Sequence, residues 1–272
     1  MIVKSKEELE ILRECGRKLA LILDEVKKAV KPGVTTKELD ELGERLILNS
    51  GGDPVFKGYR ALGSKSAYPC SLCTSINDEV VHAIPSENRI LKDGDIIGLD
   101  IGMRWPAFAK ASAGKPRLLI KEKGLITDMA VTVGVGKISI PAEALVLTTR
   151  EALEKGLEIL KPGIRLGDLA SVIQEHIERS GYGVIRDLAG HGVGRELHEP
   201  PFVPNYGRRG SGPFVHEGEV LAIEPMAAIG DHRIRLDKDG WTFRTIDGGL
   251  ASHFEHTVFV SKDNCEVLTV NK

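Results

Sequence analysis

Four carboxylates lie in or beside stretches of the sequence that are otherwise apolar, and they constrain the fold more than any other feature. Asp100 and Asp128 lie within two such runs, and Glu224 and Glu255 border two more. Short apolar runs of this kind are typical of buried strands. An unpaired carboxylate buried there is costly, so each of the four must be protonated, paired or bound to a metal ion.

The alternation of side chains along a strand predicts where the two aspartates point. A period of two places Asp100 on one face together with Gly98 and Gly102. By the same rule, Asp128 shares its face with Ala130. Both aspartates therefore have small neighbours, and we expect these neighbours to leave space for a ligand.

Two histidines lie seven residues apart in a glycine-rich stretch. His191 stands within Gly190-His191-Gly192-Val193-Gly194, and His198 follows it. Neutral imidazole is the commonest metal ligand and proton carrier near pH 7. Glycine at three of five positions indicates a backbone that lies close to something small. Alone, the pattern would be typical of a turn with incidental histidines, but beside four carboxylates we interpret it as part of a site.

Convergence of these side chains would produce a metal centre. Four carboxylates carry a charge of −4, which two divalent cations would balance, and without metal some of the acids would have to hold protons. Oxygen ligands with one imidazole suit Co, Fe(II), Mn or Zn. Two such ions, about 3.5–4 Å apart, generate a bridging hydroxide and polarise a carbonyl. The candidate ligands are Asp100, Asp128, His191, Glu224 and Glu255.

Helical periodicity and capping signals predict an α+β fold with two pairs of helices. The order helix, Lys-Pro-Gly, helix, glycine occurs around Lys31-Pro32-Gly33 and again around Lys161-Pro162-Gly163. We interpret the repeat as an internal duplication within one domain of residues 1–272, with halves of roughly 5–135 and 140–272. Two helix ends that share a common tripeptide are the alternative.

Composition excludes several classes of protein. The 37 basic residues against 39 acidic residues provide no basic field for nucleic acid, and no stretch approaches the about 20 apolar residues of a membrane span. The first residues are too charged for a signal peptide. Four cysteines are too few for a disulfide scaffold, and we expect Cys70-x-x-Cys73 to be neither a zinc nor a redox motif. We therefore expect a cytoplasmic protein with reduced thiols.

Taken together, the motifs resemble the methionine aminopeptidases, in particular their short bacterial type I form. The resemblance covers essentially the whole chain and implies a pita-bread fold, in which two pseudo-symmetric halves share a central antiparallel sheet covered by helices. It also implies removal of the initiator methionine from nascent chains whose second residue is small, by attack of a metal-bridging hydroxide on the first peptide bond. The motifs are Asp100, Asp128, Gly190-His191-Gly192, Ile223-Glu224-Pro225-Met226 and Glu255-His256-Thr257.

The resemblance assigns roles to the candidate ligands. Asp128 and Glu255 would bridge two divalent ions. Asp100 would complete the coordination of one ion, and His191 and Glu224 that of the other. Glu224 would also carry the proton of the attacking water.

Five further residues match substrate-binding positions of the same family. His198 would hydrogen-bond the substrate carbonyl, and His82 would lie near the substrate amide. The methionine side chain would lie among Tyr68, Cys73 and Trp241.

The sequence departs from the family pattern around the pocket. Leu197 stands where a phenylalanine is usual, and Leu62 and Lys65 replace a cysteine and a tyrosine. These changes bear on side-chain preference and leave the candidate ligands intact.

A larger departure separates the two aspartates, which are 28 residues apart where the family has a tight hairpin. We interpret residues 104–122 as an insertion that forms a surface excursion, with roughly 17 extra residues. The alternative is a basic arm of Lys110, Lys115 and Arg117 that touches ribosomal RNA.

Two other functions remain as alternatives. A proline-specific peptidase of the prolidase or aminopeptidase P kind usually has a long N-terminal domain, whereas the first helix here begins near residue 5. A non-catalytic relative that binds ribosomes or nucleic acid would lose ligands, and this chain keeps all five. The expected partners are nascent polypeptide N-termini, with transient ribosome contact left open. We expect a monomer without membrane association or specific nucleic-acid binding.

Overall fold

The computed structural model describes residues 1–61, 63–106, 108–109, 117–118 and 124–271, which form an α+β fold. The helices are α1 (Lys6–Ala29), α2 (Thr36–Ser50), α3 (Ile140–Ile159) and α4 (Leu166–Arg179). The strands are β1 (Asp53–Pro54), β2 (Leu72–Ile76), β3 (Glu79–Val81), β4 (Ile96–Trp105), β5 (Phe108–Ala109), β6 (Arg117–Leu118), β7 (Leu125–Gly134), β8 (Gly183–Val184), β9 (Ala189–Gly192), β10 (Glu199–Pro204), β11 (Val220–Ile223), β12 (Met226–Ala228), β13 (Ile234–Leu236), β14 (Phe243–Thr245), β15 (Ala251–His253), β16 (Glu255–Val260) and β17 (Cys265–Val267).

The helices begin where the capping chemistry predicts. The Ser5 hydroxyl accepts a hydrogen bond from the Glu8 amide at 3.2 Å at the start of α1. Thr35 and Glu38 form a reciprocal capping box at α2, with hydrogen bonds of 3.1 and 2.7 Å. In the part of the chain that the structure describes, no helix is both long enough and apolar enough to cross a bilayer.

The two Lys-Pro-Gly turns have the same geometry. Gly33 has a φ of 91° and Gly163 a φ of 87°, a region that glycine enters without steric cost. The Gly33 amide donates to the Leu91 carbonyl at 2.8 Å, and the Gly163 amide donates to the Val215 carbonyl at 2.9 Å. These matched contacts support the internal duplication, which stays a prediction.

A central antiparallel sheet carries the aspartates at matched positions. Its strands run in the order β1-β4-β7-β16-β11-β9-β10, with β2 also paired to β4 and β17 to β16. Within the β4–β7 pair, Asp100 lies opposite Ala130, and Gly102 lies opposite Asp128. The two aspartates therefore share one face of the sheet, as the alternation predicted.

The other face of the same strands forms the core. Leu99 and Ile101 of β4 are fully buried against Leu19 and Leu23 of α1. Burial of one such side chain stabilises the fold by about 1.5–3 kcal/mol. α3 and α4 contribute to a second core cluster that includes residues of β11 and β16. Helices thus cover the apolar face, and this leaves the opposite face of β4 to the aspartates.

One of the small residues beside Asp100 does not leave the space that we expected. A side chain at Gly102 would come within 2.6 Å of the Phe56 ring and 2.8 Å of Val55. The expectation is therefore wrong at Gly102, because neighbouring protein atoms already occupy the space.

The insertion also begins later than predicted. Arg104 and Trp105 still belong to β4 and pair with β7. β5 and β6 pair with each other as a separate two-stranded sheet. The side chains of the predicted basic arm, Lys110, Lys115 and Arg117, lie outside the described residues.

Candidate metal centre

One cavity of about 270 Å³ brings all the predicted site residues together. The candidate ligands lie on β4, β7, β9 and β16 and directly after β11. The antiparallel sheet places the ends of these strands side by side. The predicted residues that line the cavity are Tyr68, Cys73, His82, Asp100, Asp128, His191, His198, Glu224, Trp241 and Glu255.

The distances between candidate ligands suit shared metal ions. Asp128, His191 and Glu255 offer ligand atoms that all lie within 4.8 Å of one another. Nε2 of His191 lies 3.5 Å from Oδ2 of Asp128 and 3.6 Å from Oε1 of Glu224. Ligand atoms that each lie about 2 Å from one ion are roughly 3–4 Å apart. The cluster therefore has the spacing of a coordination site.

Burial keeps the carboxylates of the cluster partly protonated when no cation is bound. It raises the pKa of Asp100 to about 7 and that of Glu224 to about 8. The pKa values of Asp128 and Glu255 are raised as well, chiefly by burial, and the neighbouring carboxylates add to the shift at Glu255. A divalent cation would favour the charged forms and reverse these shifts.

One buried carboxylate oxygen of the cluster, Oδ1 of Asp100, lacks a hydrogen-bond partner among the described residues. Buried polar atoms are nearly always satisfied, so this oxygen indicates that something else binds there. Carboxylate oxygens with an imidazole are the donors that Co, Fe(II), Mn and Zn accept. The residues therefore fit divalent metal ions.

The second predicted histidine is held by a tyrosine. The Tyr59 hydroxyl lies 2.5 Å from Nδ1 of His198. The rings of His191 and His198 approach edge to face, with centroids 4.3 Å apart. A tyrosine hydroxyl that donates to Nδ1 leaves the imidazole proton on Nε2. His198 can therefore present an N–H donor to the cavity.

An apolar pocket adjoins the cluster. Tyr68 and Trp241 pack edge to face with centroids 5.3 Å apart, and the Tyr68 hydroxyl donates to two backbone carbonyls. Burial raises the pKa of the Cys73 thiol well above its usual value, so this wall stays uncharged. His82, held at a φ of 59°, places its ring 6.5 Å from that of Trp241.

The positions that depart from the family pattern fall in different places. Leu197 is buried and lines the cavity. Lys65 is exposed and does not line it. Leu62 lies outside the described residues. Of the three, Leu197 is the residue with a demonstrated place in the pocket wall.

Two residues near the centre were missed in the sequence. Tyr59 lies in a turn-rich segment, and its contact with His198 spans 139 positions, so no local pattern points to it. His253 lies 3.4 Å from Glu224. A signal for His253 was present, because residues 253 and 255 are two apart in an extended segment and side chains two apart share a face.

Comparison with known proteins identifies the family. The chain matches metallopeptidase family M24 over residues 10–111 and 118–262. Methionine aminopeptidase from Clostridium acetobutylicum is 43% identical over 270 residues, which are 99% of each chain. The crystal structure of methionine aminopeptidase from Thermotoga maritima is 40% identical, with a TM-score of 0.88 over 99% of both chains.

Another solved structure has a similar fold but a lower sequence identity. The X-Pro aminopeptidase from Thermotoga maritima has a TM-score of 0.70 but is 22% identical, and the match covers 99% of this chain and 62% of that one. This similarity extends to the fold alone. The fold is therefore the predicted pita-bread fold. The chain belongs to metallopeptidase family M24 and, within it, to the methionine aminopeptidases.

Proposed function

We propose that the chain removes the N-terminal methionine from nascent polypeptides whose second residue is small, by hydrolysis of the first peptide bond. The observation that supports this most strongly is the shared cavity. In it, buried carboxylates and an imidazole adjoin an uncharged pocket walled by Tyr68, Cys73 and Trp241. A metal-dependent peptidase that selects an apolar first residue needs both parts next to each other.

Five side chains would hold two divalent ions. Asp128 and Glu255 would bridge them, Asp100 would complete one site, and His191 and Glu224 would complete the other. The mutual approach of Asp128, His191 and Glu255 supports joint metal binding by these three residues. When bound, such ions activate water as a nucleophile and polarise the scissile carbonyl.

The chain's own residues would move the protons and stabilise charge. The Glu224 side chain is 12% exposed and opens onto the cavity, so it can take a proton from the attacking water and deliver it to the leaving amine. His198, with Tyr59 at Nδ1, would donate from Nε2 to the carbonyl oxygen as negative charge develops. His82 would lie beside the leaving amide nitrogen.

The pocket chemistry accounts for a preference for methionine. An unbranched thioether adapts to irregular apolar space and makes favourable contacts with aromatic rings. Tyr68 and Trp241 supply two such rings, and their edge-to-face packing holds them in place. A charged or strongly polar side chain would lose its hydration there without replacement partners.

We further propose that the protein acts as a cytoplasmic monomer that contacts ribosomes transiently. All four cysteines are free thiols, which agrees with a reducing compartment. The net charge of −2 does not favour stable association with nucleic acid.

The test is hydrolysis of matched peptides by protein loaded anaerobically with Co²⁺, Mn²⁺, Fe²⁺ or Zn²⁺. We expect release of methionine from Met-Gly peptides, much slower cleavage of Leu-Gly and Met-Leu peptides, and loss of activity after chelation. Cleavage of Ala-Pro peptides without cleavage of Met-Gly peptides would instead indicate a proline-specific peptidase. Failure to bind metal would indicate a non-catalytic relative.

A further inference from the structure

His253 faces the carboxylate cluster and has no part in the proposed reaction. Its Nε2 atom lies 3.4 Å from Oε2 of Glu224, whereas His191 lies near the other oxygen, Oε1. The His253 side chain is 4% exposed, and its Nε2 has no hydrogen-bond partner among the residues that the structure describes. A buried nitrogen that lies this close to a carboxylate without a hydrogen bond requires an explanation.

The backbone of His253 is fixed by the same strands that carry the cluster. Its amide donates to the Thr132 hydroxyl at 2.9 Å, and that hydroxyl donates back to the His253 carbonyl at 2.9 Å. Thr132 lies on β7, which also carries Asp128. On the other side, His253 pairs with Met226, two residues after Glu224. These contacts hold the His253 backbone beside the cluster, and its buried side chain lies next to Glu224.

We propose that His253 is a positioning residue, which donates its Nε2–H to Oε2 of Glu224 and so directs Oε1 toward the metal site. The donor is present in the Nε2–H neutral tautomer and in the imidazolium, so the contact does not require a change of protonation. A carboxylate held at one oxygen cannot rotate freely between alternative coordination modes. Glu224 would thus be ready both to bind metal and to accept a proton from water.

This inference rests on the proposed function, because it assumes that Glu224 is a metal ligand. Hydrogen-bond partners of metal ligands fix their orientation, and their loss commonly lowers metal affinity or activity by about 10–100-fold. The consequence should therefore appear in metal binding itself, before any substrate is added.

The experiment compares His253→Leu with His253→Gln. Leucine removes the donor and keeps the site filled, whereas glutamine restores an N–H donor at similar reach. Metal-free protein is titrated with Mn²⁺ by calorimetry, and kcat and KM are measured on a Met-Gly peptide. We expect about 10–100-fold weaker Mn²⁺ binding and a lower kcat with little change in KM for His253→Leu. We expect values close to wild type for His253→Gln.

A matched control separates positioning from general damage to the strand. His256 is a second histidine in the same segment, and its Nδ1 lies 2.9 Å from the Thr269 hydroxyl, away from the cluster. His256→Leu should lower the melting temperature and leave Mn²⁺ affinity unchanged. Circular dichroism confirms that each variant is folded.

The outcomes discriminate between the explanations. Wild-type Mn²⁺ affinity in His253→Leu would overturn the inference. Equal losses in His253→Gln and His253→Leu would also overturn it, because an imidazole that ligates metal or merely packs is not replaced by an amide donor. Absence of Mn²⁺ binding by the wild-type protein would instead refute the proposed function.

Discussion

Removal of metal should make the stability of the fold fall as pH rises from about 6.5 to about 8. Burial raises the pKa of Asp100 from an ordinary 3.8 to about 7 and that of Glu224 from 4.5 to about 8. The metal-free native state therefore keeps protons that the unfolded chain has already released. Each carboxyl contributes stability that is fully present below its ordinary pKa and is lost as pH rises through the raised value.

The size of the effect follows from the pKa values. One pKa unit corresponds to about 1.4 kcal/mol. Between pH 6.5 and 8, Glu224 should lower the free energy of unfolding by about 1–2 kcal/mol and Asp100 by about 1 kcal/mol. Asp128 and Glu255, whose pKa values are raised too, act in the same direction. The four carboxylates together should therefore lower the free energy of unfolding by at least about 2 kcal/mol.

Buried histidines have the opposite effect, mainly at lower pH. Burial lowers the pKa of His82 and His256 to about 4, so the unfolded chain binds protons below about pH 6.5 that the native state does not. At pH 6.5 about half of the histidines in the unfolded chain are still protonated, so each buried histidine adds up to about 0.5 kcal/mol of stability between pH 6.5 and 8. This gain offsets part of the loss caused by the carboxylates. It is the same in wild type and in Glu224→Gln, so the difference between these two proteins isolates Glu224.

The assay is urea unfolding at pH 6.5, 7, 7.5 and 8, with metal-free and Mn²⁺-loaded protein measured side by side. The metal-loaded protein should not show this fall, because bound cations keep the carboxylates ionised in the native state. In metal-free Glu224→Gln, the loss of stability across the window should be smaller by about 1–2 kcal/mol. A metal-free stability that is constant or rises across this window would refute the reasoning.

Other changes test single assignments in the site. Asp128→Asn and Glu255→Gln should each abolish peptidase activity and reduce the amount of bound metal, because an amide lacks the charge needed to bridge two cations. Elemental analysis measures the bound metal, and two tightly bound ions in either variant would contradict the bridging assignment. His198→Ala should lower kcat by about 100- to 1,000-fold and keep its metal, whereas loss of metal would make His198 a ligand. Tyr59→Phe should lower kcat less than His198→Ala, and an equal effect would give Tyr59 a direct role. Replacement of residues 107–123 by a two-residue turn should preserve turnover and metal binding, and lost metal would show that the insertion sets the site geometry.

The side-chain orientations in the central sheet were predictable from the sequence, because they depend only on alternation along each strand. Alternation alone put Asp100 on the face opposite to Leu99 and Ile101, and the structure buries the two apolar residues under α1 and α2. The helix ends followed from capping side chains such as Ser5. What alternation does not reveal is the identity of the neighbours across the sheet. For that reason Gly102 was expected beside a ligand, although it lies beside Phe56.

The two site residues that were missed differ in how far they could have been predicted. Tyr59 reaches His198 across 139 positions from a segment of turns, and nothing in its immediate sequence distinguishes it from a surface tyrosine. His253 follows the same period of two that identified the aspartates, and it pairs with Met226, two residues after Glu224. The acidic residues were identified because a buried charge in an apolar run costs free energy. A neutral imidazole in such a run costs much less. A polar residue two positions from a carboxylate in an extended apolar segment shares its face, and it is therefore a candidate for the same buried site.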